Sequence, residues 1–220
     1  MLALACASCA GIPQGARWTA VSPAMTDLGG EWDRTHEVIA DGVRIKAMNS
    51  GQDLHLRFET DDPVLQDEFS GQYGQSLTLW FAPGPAARGL RIDFKPKAGA
   101  SLSTDPVSNM DRSVTLLGPP TEGYPRPWTE GTEGVEMTAQ MDSGTLVYEL
   151  RLPLEPRSPG SFGLGLKPGA RLQLSIESSR LSLDSQDFLG ARGAWGGSTP
   201  IPTSAYAAIL DLRLATPPHP

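Results

Sequence analysis

Aromatic side chains with polar neighbours are the residues of this chain whose types and spacing favour ligand binding. A flat ring can pack against the C–H face of a sugar, while hydroxyl, amide, carboxylate and guanidinium groups hydrogen bond with the sugar hydroxyls. Trp80 lies opposite an apolar set on its predicted strand, and Tyr124 and Trp128 lie in a proline-stiffened loop. Trp195 lies among glycines close to Arg192. We interpret these residues as the candidate binding site.

Each of these rings also has a structural interpretation. Trp80 could be buried under a long loop, and the loop rings of Tyr124, Trp128 and Trp195 could fold back onto the core. Trp32, which follows a glutamate and precedes the first predicted hairpin, is expected to pack in the core. Clustering of the candidate rings at one rim would favour sugar binding, whereas scattered or buried rings would favour a structural or interaction domain.

Metal, haem and catalytic signals are weaker than the aromatic one. Asp61 and Asp62 could supply oxygen ligands to a structural Ca²⁺, but capping of a short helix also explains them. Met48 and His55 flank the first predicted turn on its polar face, and axial haem ligands must approach iron from opposite sides. No Ser-His-Asp, zinc-cluster or phosphate-loop motif is recognisable. The sequence therefore predicts a protein that is not an enzyme and has no cofactor beyond this calcium.

Length and composition restrict the class of protein. The 220 residues are 39% hydrophobic and 20% charged, which is typical of a globular domain. The 18 basic and 25 acidic residues give a net charge of −7, which disfavours binding to the phosphates of nucleic acids. The 24 glycines and 20 prolines indicate a loop-rich chain. No apolar run approaches the roughly 20 residues of a membrane-spanning helix.

Apolar and polar residues alternate with a period of two from Ala40 onward, as in strands buried on one face. Only residues 62–69 look helical, and residues 98–134 and 178–204 are predicted to be surface loops. About nine short strands predict an all-β fold, a single antiparallel β-sandwich of immunoglobulin-like or jelly-roll-like type. We place this sandwich at residues 16–215 and a Pro-rich tail at 216–220.

The first fifteen residues differ from the rest and contain both cysteines, Cys6 and Cys9. Small and apolar residues before each cysteine resemble the end of a bacterial lipoprotein signal peptide. We interpret residues 1–15 as a truncated lipoprotein signal and linker, with a lipid on Cys6 or Cys9. The resemblance implies an extracytoplasmic protein anchored in the bacterial cell envelope, in the periplasm or at the outer membrane. Because the apolar region is short, a cytoplasmic chain and an ordinary secretory signal remain as alternatives.

Several stretches between Trp18 and Leu214 resemble one family. They are Gly30-Glu31-Trp32, the hairpin at residues 41–58 followed by Asp61 and Asp62, Leu77-Thr78-Leu79-Trp80-Phe81, Tyr148-Glu149-Leu150-Arg151-Leu152-Pro153 and Phe162-Gly163-Leu164-Gly165. The chain resembles the family 9 carbohydrate-binding-module-like domains, which belong with DOMON-type β-sandwiches. The resemblance implies sugar binding through aromatic side chains at the sandwich edge, sometimes with structural Ca²⁺. Other sandwiches of this type bind haem, and some have no known ligand.

The sequence thus predicts a non-catalytic envelope lipoprotein that binds a carbohydrate or a similar polyol. Its contact with the membrane would be through the lipid alone, nucleic acid is not an expected partner, and the oligomeric state is not specified. The first alternative is a structural or interaction β-sandwich lipoprotein without a small ligand. The second is a haem-binding domain of the DOMON type.

Overall fold

The computed structural model describes residues 14–19, 29–70, 76–82, 87–96, 107, 110–129, 133–178 and 206–217. These residues form thirteen strands and two short α-helices. The strands are β1 (Gln14–Gly15), β2 (Arg17–Trp18), β3 (Glu37–Ala40), β4 (Val43–Asn49), β5 (Asp53–Thr60), β6 (Ser76–Ala82), β7 (Arg88–Pro96), β8 (Met110–Leu117), β9 (Arg126–Pro127), β10 (Glu136–Asp142), β11 (Thr145–Pro153), β12 (Arg171–Ser178) and β13 (Ala207–Arg213). The helices are α1 (Gly29–Trp32) and α2 (Pro63–Phe69).

The strands form two sheets. Sheet A has seven strands in the order β1-β13-β12-β6-β7-β8-β9, and sheet B has six, in the order β10-β11-β5-β4-β2 with β3 also paired to β4. The long strands pair antiparallel, and the two-residue strands β1 and β2 pair parallel to β13 and β4. The predicted all-β sandwich is confirmed.

The core lies between the two sheets and follows the alternation of the strands. Side chains predicted to share the apolar faces are buried, with exposed fractions of 6% or less: Val43, Ile45, Ala47, Leu54, Leu56, Phe58, Leu77, Leu79, Phe81, Leu90, Ile92 and Phe94. Burying a Val, Leu, Ile or Phe side chain contributes roughly 1.5–3 kcal/mol of transfer free energy. The outward residues between these positions are therefore the ones available for function.

The predicted helix at residues 62–69 is confirmed as α2. Asp62 caps it, because its carboxylate accepts hydrogen bonds from the amides of Val64 and Leu65, and Pro63 occupies the first turn. The four-residue α1 was not predicted. Among the described residues, no helix has the length and hydropathy needed to cross a membrane.

The prediction of a surface loop over residues 98–134 is wrong for the part that the structure describes as β8 and β9. Strand β8 pairs with β7 along its length and buries Val114 and Leu116. The sequence signal for β8 is weak, because the strand lies near the edge of sheet A and most of its first half is exposed and polar. Only Val114 and Leu116 show the apolar alternation that predicts a strand. The predicted loop at residues 178–204 lies outside the described residues, apart from Ser178 at the end of β12.

The outer face of sheet B is covered at one end of the β4–β5 pair. Met48 and His55 are register partners, as the hairpin predicts, but both are fully buried. They lie on the outer face that the alternation predicts, beside charged residues of the same hairpin, but the prediction of a polar surface is wrong at this end, which is covered. Trp32 is buried as expected, but it forms a separate cluster with Met48 outside the main core. The short helix α1 thus adds a second apolar layer over this part of the sheet.

Candidate functional site

Trp80 lies near the middle of sheet A and points away from the core. Its chain neighbours Leu79 and Phe81 are completely buried between the sheets, while the Trp80 side chain is half-buried on the outer face. Strand β6 pairs with β12 on one side and β7 on the other, and it is the fourth of the seven strands of sheet A, with three strands on each side. The indole is therefore displayed on a broad, backbone-paired surface.

A cross-strand row extends from Trp80 in both directions. Ser175 on β12 and Gly89 on β7 are its register partners, followed by Ile209 on β13 and Leu117 on β8. Ile209 is 68% exposed, which is unusual for so large an apolar side chain. We call these five residues the Trp80 row. It combines three apolar side chains with two small residues on the outer face of sheet A.

Gly89 permits the position of the indole. A Cβ atom on residue 89 would lie 2.5 Å from the Leu79 carbonyl oxygen and 2.9 Å from Cε3 of Trp80. The ring therefore leans across β7 into the space that a side chain would otherwise fill. A glycine inside a strand pattern often marks such a close approach, and this was the available sequence signal for the contact.

Polar side chains lie in the rows beside Trp80. Arg91 on β7 is the register partner of Thr78, and its Nε donates to Oδ2 of Asp93 at 3.1 Å. On the other side, the Ser175 hydroxyl donates to Oε1 of Glu177 at 2.8 Å. Hydroxyl, carboxylate and guanidinium groups thus flank the ring at positions open to water. This is the combination of an apolar ring face and hydrogen-bonding groups that a sugar can use.

Tyr124 has a different place from the one predicted for a ligand-binding ring. Its side chain is only 5% exposed, and two guanidinium groups lie close to the ring. The carbon Cζ of Arg126 is 4.6 Å from the ring centroid, and that of Arg88 is 5.7 Å away. Both arginines also donate to the Tyr124 hydroxyl, at 3.2 and 3.3 Å. Glu122 pairs with Arg88 and Glu133 with Arg126, so the cluster is neutralised from within.

Trp128 follows β9 at the edge of sheet A. It is half-buried and packs against the main core, and its backbone amide donates to the Val114 carbonyl at 2.9 Å. Strands β7 and β8 separate β9 from β6, which places the chain at Trp128 roughly 14 Å from that of Trp80. The described candidate rings are therefore not gathered at one rim. Trp195, Arg192, Cys6 and Cys9 lie outside the described residues.

The two aspartates considered as calcium ligands have protein partners. Oδ2 of Asp61 accepts from Nη1 of Arg44 at 3.3 Å, and Oδ1 of Asp62 accepts from the Val64 amide at 2.8 Å. Burial lowers the pKa of Arg44, but hydrogen bonds and charge interactions with Glu59 and Asp61 outweigh this and raise it. In the described part of the chain, no three His, Cys, Asp or Glu side chains form a group that could hold a metal ion. Calcium at Asp61 and Asp62 stays a prediction.

The outer face of sheet B is charged, and its charges pair with one another. Arg57 pairs with both Glu59 and Glu149, and Arg44 also reaches Glu59. Burial raises the pKa of Glu59, but the hydrogen bond and charge of Arg57, together with Arg44 and Lys46, lower it overall. Because these groups satisfy each other, this face offers a ligand less than the outer face of sheet A does.

Comparison with known proteins gives limited similarity. No protein-family model and no curated protein sequence matches this chain. A family 9 carbohydrate-binding module from Caldicellulosiruptor kristjanssonii in complex with cellotriose is 12% identical, with a TM-score of 0.38 over 77% of this chain and 78% of that chain. A structure of such a module from the same organism with glucose is also 12% identical, with a TM-score of 0.37 over 77% of this chain and 80% of that chain. At this identity and TM-score, the likeness assigns no role to any residue of this chain.

Proposed function

We propose that this protein is a non-catalytic module that binds a carbohydrate, or a polyol of similar shape, on the outer face of sheet A. The observation that carries the proposal is the outward indole of Trp80, which lies across Gly89 in the middle of a paired sheet. The ring is held by backbone on one side and is partly open to water. A ligand that stacks on it would find the surface already formed.

The chemistry of binding follows from the neighbours of the ring. The C–H face of a sugar would pack on the indole, which removes apolar surface of both partners from water. The hydroxyls of the sugar would hydrogen bond with the Ser175–Glu177 pair on β12 and the Arg91–Asp93 pair on β7. Because these groups project from paired strands, little conformational entropy is lost when the ligand binds.

A structural or interaction module is the second candidate, and Ile209 favours it. This side chain is 68% exposed in the same row as Trp80 and Leu117. An exposed apolar strip of this kind would suit a protein partner. The two candidates differ in what Ile209 does, since stacking of a sugar needs the indole and docking of a protein needs the whole strip.

The first experiment is a tryptophan fluorescence titration of the full chain against a panel of soluble glycans. Trp80→Leu removes the aromatic face and keeps an apolar side chain over Gly89. We expect the wild type to give a saturable shift that Trp80→Leu abolishes, while Trp128→Phe and Ile209→Ala keep it. An unaltered response of Trp80→Leu would contradict the proposed site. No response of the folded wild type to any glycan would overturn carbohydrate binding and leave the interaction module.

Anchoring in the bacterial envelope through a lipid on Cys6 or Cys9 is part of the same proposal. The small and apolar residues before each cysteine support it. Metabolic labelling with a fatty acid in a bacterial host would test it. We expect label in the wild type and its loss in either Cys6→Ser or Cys9→Ser, which identifies the modified residue. Label retained in the double variant, or absent from the wild type, would overturn the anchor.

A further inference from the structure

Arg171 and Arg213 lie directly opposite each other on neighbouring strands of sheet A. They are register partners on β12 and β13, and both are exposed on the outer face. Leu172 and Leu212, which follow and precede them, are buried in the core, so the direction of the two side chains is set by the strands. Directly opposite residues of an antiparallel pair have Cβ atoms roughly 4.5–5.5 Å apart, and like charges at such positions destabilise the sheet.

No carboxylate compensates this pair among the described residues. Nine of the twelve arginines that the structure describes have a carboxylate within 4.0 Å. The other three are Arg112, Arg171 and Arg213, and Arg112 lies apart on β8. Arg171 and Arg213 thus lie side by side without a carboxylate within 4.0 Å in the part of the chain that the structure describes.

The elements around the pair explain why it is uncompensated. Asp211, the next outward residue on β13, is the register partner of Gln173, and its Oδ1 accepts from Nε2 of Gln173 at 3.5 Å. On the other side of β13, the register partner of Arg213 is Gly15, which has no side chain. Lys167, in the turn before β12, is a further exposed cation. The local charge is thus positive in a protein whose net charge is −7.

We propose that Arg171 and Arg213 form an anion subsite that extends the Trp80 platform and selects glycans carrying a carboxylate or a sulfate group. This inference rests on the proposed function. A guanidinium group binds carboxylate or sulfate oxygens through two parallel N–H donors, and two such groups side by side can hold one anion between them. An anionic ligand would also remove the repulsion between the two arginines.

The spacing indicates the size of the ligand. Along β12, Arg171 is four residues from Ser175 of the Trp80 row, which is roughly 13 Å of strand. Gln173 and Asp211 form the only intervening outward row on β12 and β13, and they offer amide and carboxylate groups to sugar hydroxyls. A monosaccharide on Trp80 would not reach the arginines. The ligand class is therefore an acidic oligosaccharide.

Titration calorimetry with matched ligands tests this subsite. The probes are an oligogalacturonate and its fully methyl-esterified form, which share the sugar chain but carry charged and neutral carboxyl groups, together with a neutral oligosaccharide before and after O-sulfation. We expect an anionic form to bind at least tenfold more tightly than its neutral partner at low salt. The double variant Arg171→Gln/Arg213→Gln should lose this preference and keep the affinity for the neutral form. Arg112→Gln, the matched control, should keep both.

The outcomes separate this inference from the proposed function. Equal affinities of the wild type for the charged and neutral forms would overturn the anion subsite and leave sugar binding in place. A preference that survives in the double variant would also overturn it, because other residues would then hold the anion. Absence of binding to every probe would overturn the proposed function and the subsite together. Thermal melts of the double variant should show undiminished stability, since the substitutions remove two adjacent like charges.

Discussion

The indole of Trp80 occupies the space above Gly89 that a side chain at residue 89 would fill. A Cβ atom there would be 2.9 Å from ring carbon Cε3 and 2.5 Å from the Leu79 carbonyl oxygen. The position of the proposed binding ring is thus set by the absence of a side chain on the neighbouring strand. Strand β7 contributes the glycine and strand β6 the ring, so neither strand alone forms the platform.

Gly89→Ala should therefore disturb both stability and binding. The Leu79 oxygen belongs to the backbone and cannot move away cheaply, so we expect a loss of about 1–3 kcal/mol in the free energy of unfolding. The displaced indole should also weaken glycan binding. Urea unfolding and fluorescence titration measure the two effects. Gly30→Ala is the control, because a Cβ there meets nothing within 4 Å and should change little. Equal stability of the two variants would contradict the predicted collision.

His55 should make the protein less stable in acid. Burial lowers its pKa from 6.5 to about 4, with Asp53 raising and Arg151 further lowering it. Between these two pH values the unfolded state binds more protons than the folded state, so stability falls as the pH decreases from 6.5 to 4. The loss from this residue is about 3 kcal/mol.

Urea unfolding at a series of pH values measures the His55 effect. His55→Gln cannot gain this charge, so its stability should depend less on pH in the same window. His36 is exposed, and His36→Gln should keep the wild-type dependence. If both variants show the wild-type slope, another group causes the acid sensitivity.

Tyr124→Phe should reduce stability without changing ligand binding. The hydroxyl accepts hydrogen bonds from Arg88 and Arg126. Phenylalanine has no acceptor there, so each arginine would lose one hydrogen bond. Arg88 is buried, and leaving a buried donor unsatisfied costs about 1–3 kcal/mol. Thermal or urea unfolding and a glycan titration provide the measurements. A large loss of affinity in a folded Tyr124→Phe variant would mean that this ring contacts the ligand after all.

Trp32→Ala should open the outer layer of sheet B. Removal of a buried tryptophan costs about 3–5 kcal/mol, and it would expose Met48 and the adjacent His55 to water. Renewed hydration should move the pKa of His55 upward from about 4 toward its usual value. An NMR titration of the imidazole carbon protons follows this change. A His55 pKa that stays near 4 would show that the layer closes without the indole.

The alternation of residues by itself determined the β-sandwich and its inward faces. Leu77, Leu79 and Phe81 share one side of a strand because successive side chains point in opposite directions, and that is a local property of the chain. The Asp62 cap and helix α2 were predictable for the same reason, since the cap and the amides it binds lie within three residues.

Only the tertiary structure decided which outward residues remain exposed and which of them meet. Met48 and His55 alternate correctly with the core residues, yet Trp32 from an earlier segment covers this face. Tyr124 is buried, with its ring against Phe162 and its hydroxyl bound by Arg88, which lies thirty-six residues earlier in the chain. The contacts of Trp80 with Gly89 and of Arg171 with Arg213 depend on strand order and register. Side-chain alternation sets the face on which a residue lies, but its neighbours on that face come from distant segments that pair only in the folded chain.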